Sequence, residues 1–424
     1  MGKAELDMKI AIIHEWLTTY AGSEKVLEAM LAEYPQADVF TLINFLPKEH
    51  GKTILPRVVR TSFMQKIPLV RHFYRQLLWM MPFAVEQYDL SEYDLVISNC
   101  HSVAKGVITG PDQLHICYCY TPMRYAWDLQ NQYLAESGMK SGVKSLIARM
   151  ILNRIRIWDM RTAPGVDHFI GCSGYIARRI HKIYRRDAAV IYPNVAVDDF
   201  VIGNGPREDF YFTSSRMVPY KKMHLIVEAF SKMPNRRLIV IGEGPQFKRI
   251  KALAGPNVTL LGYQPFEVLK SHLQRARAFI FAAEEDFGVA PLEAQACGTP
   301  VLAFGKGGAL ETVVDGATGL HFHEQSADAI RDVVERFERL PMDYFDPEAL
   351  RVHADQFSVK NFRAQFRAFV DGRWAEHVAA LGAVASDDTR GKAGPDRPAK
   401  ERQPQAALKE LIHLVPKTAS ESAR

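Results

Sequence analysis

EEDFGVAPLEAQACGT, residues 284–299, is the stretch on which the reading of this chain turns. The run before it, Ala278-Phe279-Ile280-Phe281-Ala282-Ala283, is short and continuously apolar, the pattern of a buried parallel strand. Gly288 marks a turn. Pro291 fits a first helical turn, where the N–H it lacks would have no partner. Glu293-Ala294-Gln295-Ala296 continue the helix, and Gly298 with Pro300 end it. Strand, acidic turn and helix N-terminus thus follow one another. Free amides and the positive end of the helix dipole attract phosphate at such a point. Carboxylates do not help bind phosphate, but they accept charge-assisted hydrogen bonds from sugar hydroxyls. Glu285 and Glu293 flank the turn, so phosphate and sugar are both provided for, which describes a sugar nucleotide.

The rest of the chain sets the bounds. Its 424 residues suit two domains, and 47% hydrophobic with 24% charged residues is a globular balance with ample core material. A net charge of +5 is a modest solvated excess that does not point to nucleic acid. Cys100, Cys117, Cys119, Cys172 and Cys297 lie mostly in apolar runs without CxxC spacing, so they read as buried thiols of a reducing compartment. The N-terminus lacks the apolar core of a signal peptide, and no run approaches the roughly 20 apolar residues of a membrane span.

Strands and helices alternate twice over. Residues 9–14 (KIAIIH), 94–99 (DLVISN), 115–121 (HICYCYT) and 167–173 (DHFIGCS) read as buried strands of a first domain, 8–197. After 9–14 comes a loop in which Gly22 lets the backbone approach a ligand and Ser23 is the expected N-cap of a helix. His101 stands at a strand carboxyl end, where ligands gather in open α/β sheets, with a capping or packing histidine as the plain alternative. Arg124 and Asp128 stand at i to i+4 spacing, where a local ion pair is the plain reading. Residues 60–89 and 143–161 are basic and amphipathic; each is either a core-facing helix with a solvated basic side or part of a surface for lipid headgroups. Residues 198–208 read as a linker, and a second domain spans 209–355. Its first strand leads into Arg216-Met217-Val218-Pro219-Tyr220-Lys221. A helix over 357–376, within a segment 356–378, carries Phe362, Phe366, Phe369 and Trp374 on one side; residues 379–424 read as a largely disordered tail.

Glu285-x-Phe287-Gly288-x-x-x-x-Glu293 resembles the signature of the retaining GT-B glycosyltransferases, and TPMRYAWD (121–128) resembles their bacterial O-antigen and exopolysaccharide mannosyltransferases. The resemblance implies an α/β fold of two Rossmann-like doubly wound domains facing a cleft, with the 356–378 helix crossing back to the first. It implies that Arg216 and Lys221 clamp the donor diphosphate, helped by amides at Gly288 and Val289. Glu293 would hold the ribose, Glu285 the donor sugar, Gly262-Tyr263 the base, and Gly22 would face the diphosphate. Gly307-Gly308-Ala309-Leu310-Glu311 and Asp315-Gly316 resemble loops of that donor site. Many relatives carry a histidine where this chain has Tyr120, which can hydrogen-bond a hydroxyl but carries no charge at neutral pH. The resemblance of TPMRYAWD then makes Arg124 and Asp128 candidates for the acceptor side.

Two fixed cations can neutralise a leaving diphosphate. The expectation is therefore a retaining, metal-independent hexosyltransferase without a cofactor, a nucleotide sugar being its co-substrate. GDP-mannose is the first donor and a UDP-hexose the second. The acceptor is a lipid-linked saccharide of cell-surface polysaccharide synthesis, met by a cytoplasmic protein peripheral to the inner leaflet. Alternatives are a GT-B sugar-nucleotide epimerase, which needs no acceptor, and a non-catalytic scaffold.

Overall fold

The computed structural model describes residues 8–47, 53–54, 56–57 and 59–390. Among these residues, thirteen strands form two all-parallel sheets. The first holds β1 (Ile10–His14), β2 (Asp38–Thr41), β3 (Val59–Thr61), β4 (Leu95–Cys100), β5 (Leu114–Cys119), β6 (His168–Gly171) and β7 (Ala188–Val190), in the order β3-β2-β1-β4-β5-β6-β7. The second holds β8 (Tyr211–Ser214), β9 (Leu238–Ile241), β10 (Val258–Leu260), β11 (Ala278–Phe281), β12 (Val301–Phe304) and β13 (Gly319–Phe322), in the order β10-β9-β8-β11-β12-β13. Parallel strands need crossover connections, and the helices that supply them cover both faces. Hence β1, β4, β5, β11 and β12 are buried at every position and read as largely apolar runs, unbroken in β11 and β12.

In both sheets the chain reverses direction of travel beside the first strand, between β1 and β4 and between β8 and β11. Ligands bind outside the carboxyl ends of strands at such switch points. This is the GT-B arrangement of two Rossmann-like lobes. The helix Val359–Arg390 returns to the first lobe: Phe362, Phe366 and Val370 are buried in that lobe's core, and Tyr34 Oη donates to Asp371 Oδ1 at 2.9 Å. Burying a phenylalanine side chain is worth about 1.5–3 kcal/mol, so these residues anchor the crossing.

Three expectations change. The first helix starts at Gly22 with Ala21 as its N-cap, not Ser23. Glu24 determines this, because its Oε2 accepts from Ala21 N at 2.9 Å. The final helix continues through residues 379–390, which were expected to be disordered. The remainder of that tail, 391–424, lies outside the described residues. Strands β2 and β3 were not anticipated; β3 is three residues long and its side chains are only partly covered, so its pattern is weak. All five cysteines are buried and unpaired.

Candidate active site

The site is assembled from strand ends. In the first lobe, the loop after β1 brings Gly22, β4 delivers His101 and β5 delivers Tyr120. In the second lobe, β8 delivers Arg216 and Lys221, and β11 delivers Glu285. The helix Val289–Ala296 begins at Gly288, whose φ of 98° is left-handed and costs a glycine little. These residues, with Arg124, Tyr263, Phe287, Val289 and Glu293, line one cleft of about 980 Å³ between the lobes.

Several predicted residues stand apart from it. Gly262 lies behind the cleft wall, where its carbonyl accepts from Gly242 N at 2.8 Å; Tyr263 and Gln264 line the cleft instead. Asp128 does not line the cleft and does not pair with Arg124. Both its oxygens accept from the Arg179 guanidinium, at 2.6 Å each. A fork from another helix outcompetes a same-turn partner because it satisfies both oxygens at once. Asp315 also stands away from the cleft: its Oδ1 accepts from His321 N at 2.7 Å.

Opposite charges meet on the second-lobe wall of the cleft. Lys221 Nζ donates to Glu285 Oε1, so the proposed diphosphate cation and sugar carboxylate hold each other. Arg216 stands exposed on the same wall. Burial raises the Glu293 carboxyl above its ordinary value, against the opposing charge of Lys25. Burial likewise pushes Tyr120 well above the ordinary phenol value, so its hydroxyl stays protonated and neutral.

The paired glycines have a steric reason. A Cβ on Gly308 would meet Phe287 Cα at 2.3 Å, and one on Gly307 would meet Glu285 O at 2.4 Å. Only bare backbone lets this loop pack on the acidic turn, which it grips through Gly308 N donating to Glu285 O at 2.8 Å.

Several functional groups escaped the sequence reading. Asp286 joins the lobes by accepting from Arg124. Ser173 Oγ donates to Asp286 O at 2.6 Å, and Tyr175 Oη donates to Glu284 Oε1 at 3.1 Å. Glu311 of the second lobe caps the first-lobe helix Gly174–Tyr184, accepting from Gly174 N at 2.7 Å and Tyr175 N at 2.8 Å. Asp286 could have been noticed, since it sits between two signature residues. Glu311 was named only as part of a donor-site loop; nothing local marked its capping role, because its partner is over 130 residues away in sequence.

Comparison with known proteins agrees with this geometry. Residues 196–351 match the glycosyl transferases group 1 family. The chain is 32% identical over 137 residues to a GDP-mannose-dependent alpha-(1-6)-phosphatidylinositol monomannoside mannosyltransferase of Mycolicibacterium smegmatis, covering 28% of this chain and 36% of that protein. It is 31% identical over 233 residues to a D-inositol 3-phosphate glycosyltransferase of Mycobacterium leprae, covering 48% of this chain and 54% of the relative. These matches therefore span about a third to a half of the curated relatives' own length. Among solved structures, the sucrose-phosphate synthase of Thermosynechococcus elongatus superposes with a TM-score of 0.67 at 18% identity, over 87% of this chain and all of the other. Anabaena HepE in complex with UDP and glucose gives 0.59 at 17% identity, over 86% of this chain and 99% of the other. Residues 196–351 are thus similar to the glycosyl transferases group 1 domain, and the two lobes share the GT-B fold of these structures.

Proposed function

We propose that this protein is a retaining hexosyltransferase that moves mannose from GDP-mannose to a lipid-linked saccharide without a metal. One observation carries the reading: Arg216, Lys221, Glu285 and Glu293 line the same wall of one cleft, beside the N-terminus of the helix Val289–Ala296. The cations and the amides at Gly288 and Val289 suit a diphosphate, and the carboxylates suit hydroxyls on either side of it.

On this reading the bond between the sugar's anomeric carbon and the diphosphate breaks while the carbon–oxygen bond to the acceptor forms on the same face. The acceptor's proton passes to the leaving diphosphate. Arg216 and Lys221 offset the negative charge that grows on that group, and binding a donor frees Lys221 from Glu285. Rate comes from positioning and charge stabilisation, in a site completed by both lobes.

Mannose and guanosine are favoured by the 32%-identical relative and by the TPMRYAWD string. A lipid-linked acceptor is favoured by one face of the first lobe. Leu69, Trp79 and Phe83 are exposed there, and the helix Val143–Thr162 exposes Val143, Leu146, Ile147, Met150 and Ile157. A groove lined by Trp79, Pro82, Ile151, Arg154, Ile155 and Trp158 joins the two segments, and Arg154 supplies positive charge there. No helix among the described residues is long and apolar enough to cross a membrane. An apolar face with a cation beside it suits the surface of an anionic bilayer.

Slow hydrolysis of GDP- and UDP-sugars, with Lys221→Ala as control, tests the reading. GDP-mannose turnover that the substitution abolishes is expected. Turnover of UDP-glucose alone contradicts the donor assignment, and conversion to an epimer without acceptor supports the isomerase.

A further inference from the structure

Glu15 follows directly on β1 and is buried. Its Oε1 accepts from three backbone amides of the next strand's exit: His101 N at 2.9 Å, Ser102 N at 2.6 Å and Ala104 N at 3.2 Å. Its Oε2 lies 2.9 Å from His101 Nδ1, a close ion-pair contact that is off the line of a hydrogen bond. A carboxylate in the interior is costly unless paired, and here the loop after β4 is wrapped around one. The His101 ring meets Trp16 edge-on at 4.8 Å and Tyr120 edge-on at 6.4 Å. With Nδ1 held inward, Nε2 is the ring nitrogen left for the cleft, which the residue lines.

We propose that Glu15 is a positioning residue that fixes His101 as a charged donor, its Nε2–H giving a hydrogen bond to an oxygen of the transferring sugar or of its leaving group. The contact with sugar rests on the transferase reading; the pairing does not. Neutral Tyr120 beside it cannot supply positive charge, so His101 is the first-lobe counterpart of the Arg216 and Lys221 cations across the cleft.

The charged surroundings favour the imidazolium. Burial alone would lower the His101 value, but Glu15 outweighs it and Glu24 adds to the effect, so the ring titrates above its ordinary range. Arg75, from the segment packed against Trp16, opposes this more weakly. Burial would raise Glu15, yet His101, His14 and the Ser102 amide hold it at about 2. His14 itself is turned away, its ring nitrogens 3.3 Å from Glu24 Oε1 and 3.1 Å from Asn99 Nδ2.

The test uses the full chain with isotope-labelled histidine, the His101 signal being assigned by its loss in His101→Asn. In the wild type that signal titrates above 6.5, and in Glu15→Gln it moves down by about one pH unit or more. GDP-mannose hydrolysis falls about 10- to 100-fold in kcat in Glu15→Gln and in His101→Asn, with KM nearly unchanged. The double variant is no slower than either single one, and wild-type kcat falls as pH rises through the titration of His101. A His101 signal at or below 6.5, additive losses in the double variant, or activity that rises as His101 deprotonates overturns the proposal; the last would make the ring a base. If Glu15→Gln does not fold, His101→Asn at the cleft wall and the wild-type titration still decide. If the wild type turns over no nucleotide sugar, the transferase reading fails and the titration judges the pairing alone.

Discussion

Arg124 of the first lobe and Asp286 of the second are joined across the cleft, with Arg124 Nε donating to Asp286 Oδ1 at 2.9 Å and Nη2 donating to the same oxygen. Asp286 lies between the signature residues Glu285 and Phe287, so the turn that would hold the donor sugar also holds the lobes together. Hydrogen bonds to charged groups contribute about 1.5–3 kcal/mol, a tenfold or larger change in an equilibrium. Asp286→Asn is expected to open the lobes, raising the radius of gyration in solution scattering and lowering kcat for donor hydrolysis about tenfold or more. Arg124→Lys should not rescue closure, because an ammonium lacks the guanidinium fork. Unchanged scattering and kcat in Asp286→Asn would mean the pair does not hold the lobes.

Glu311 is a second latch. It caps the helix Gly174–Tyr184 from the opposite lobe through two backbone amides. Loss of such a cap costs about 0.5–2 kcal/mol. Glu311→Ala should speed proteolysis between the lobes and add to the effect of Asp286→Asn, whereas Glu311→Gln should keep part of the cap. Identical proteolysis rates in Glu311→Ala and wild type would leave the contact without a role in closure.

The Glu15–His101 pair gives stability its own pH dependence. Glu15 has a depressed folded value of about 2 against an ordinary 4.5, so its contribution is full above pH 4.5 and is lost as pH falls through about 2. His101 has a raised value, so its contribution is full below 6.5 and is lost as pH rises through its folded value. Both apply in full between pH 4.5 and 6.5. Breaking a buried ion pair costs about 3–5 kcal/mol. Urea denaturation should show the largest gap between wild type and Glu15→Gln in that window, narrowing on both sides. A gap independent of pH would assign Glu15 a packing role only.

Gly308 makes a steric prediction. Its substitution by alanine would place Cβ against Phe287 backbone, which cannot yield as a flexible side chain can. Displacing the turn should weaken nucleotide-sugar binding at least tenfold while leaving the first lobe's fold intact. Calorimetric titration checks the first expectation, and the circular dichroism spectrum checks the second. Wild-type affinity in Gly308→Ala would show that the loop does not shape the site.

Local signals carried much of this fold. Buried parallel strands leave apolar runs such as AFIF at 278–281, and Gly288 and Pro291 mark a helix start wherever they fall. Residues one or two positions past such strands, including His101, Tyr120 and Arg216, could be placed at the cleft because chain order fixes the carboxyl end. What escaped were choices among partners. Asp128 took Arg179 over Arg124, and Arg124 took Asp286, because tertiary packing brings distant forks closer than helical spacing does. Glu15 was passed over for a related reason: its partners are amides and a ring over 80 residues away, and a carboxylate after a buried strand looks like a solvated loop residue until those amides surround it.

The role of Lys221 and Arg216 is tested most directly by calorimetric GDP binding in the presence of EDTA. Wild-type affinity should be unchanged by the chelator. Lys221→Ala and Arg216→Ala should each bind GDP at least tenfold more weakly, from about 1.5–3 kcal/mol per charged contact. GDP binding that the chelator abolishes, or that neither substitution alters, would contradict a diphosphate held by these two side chains.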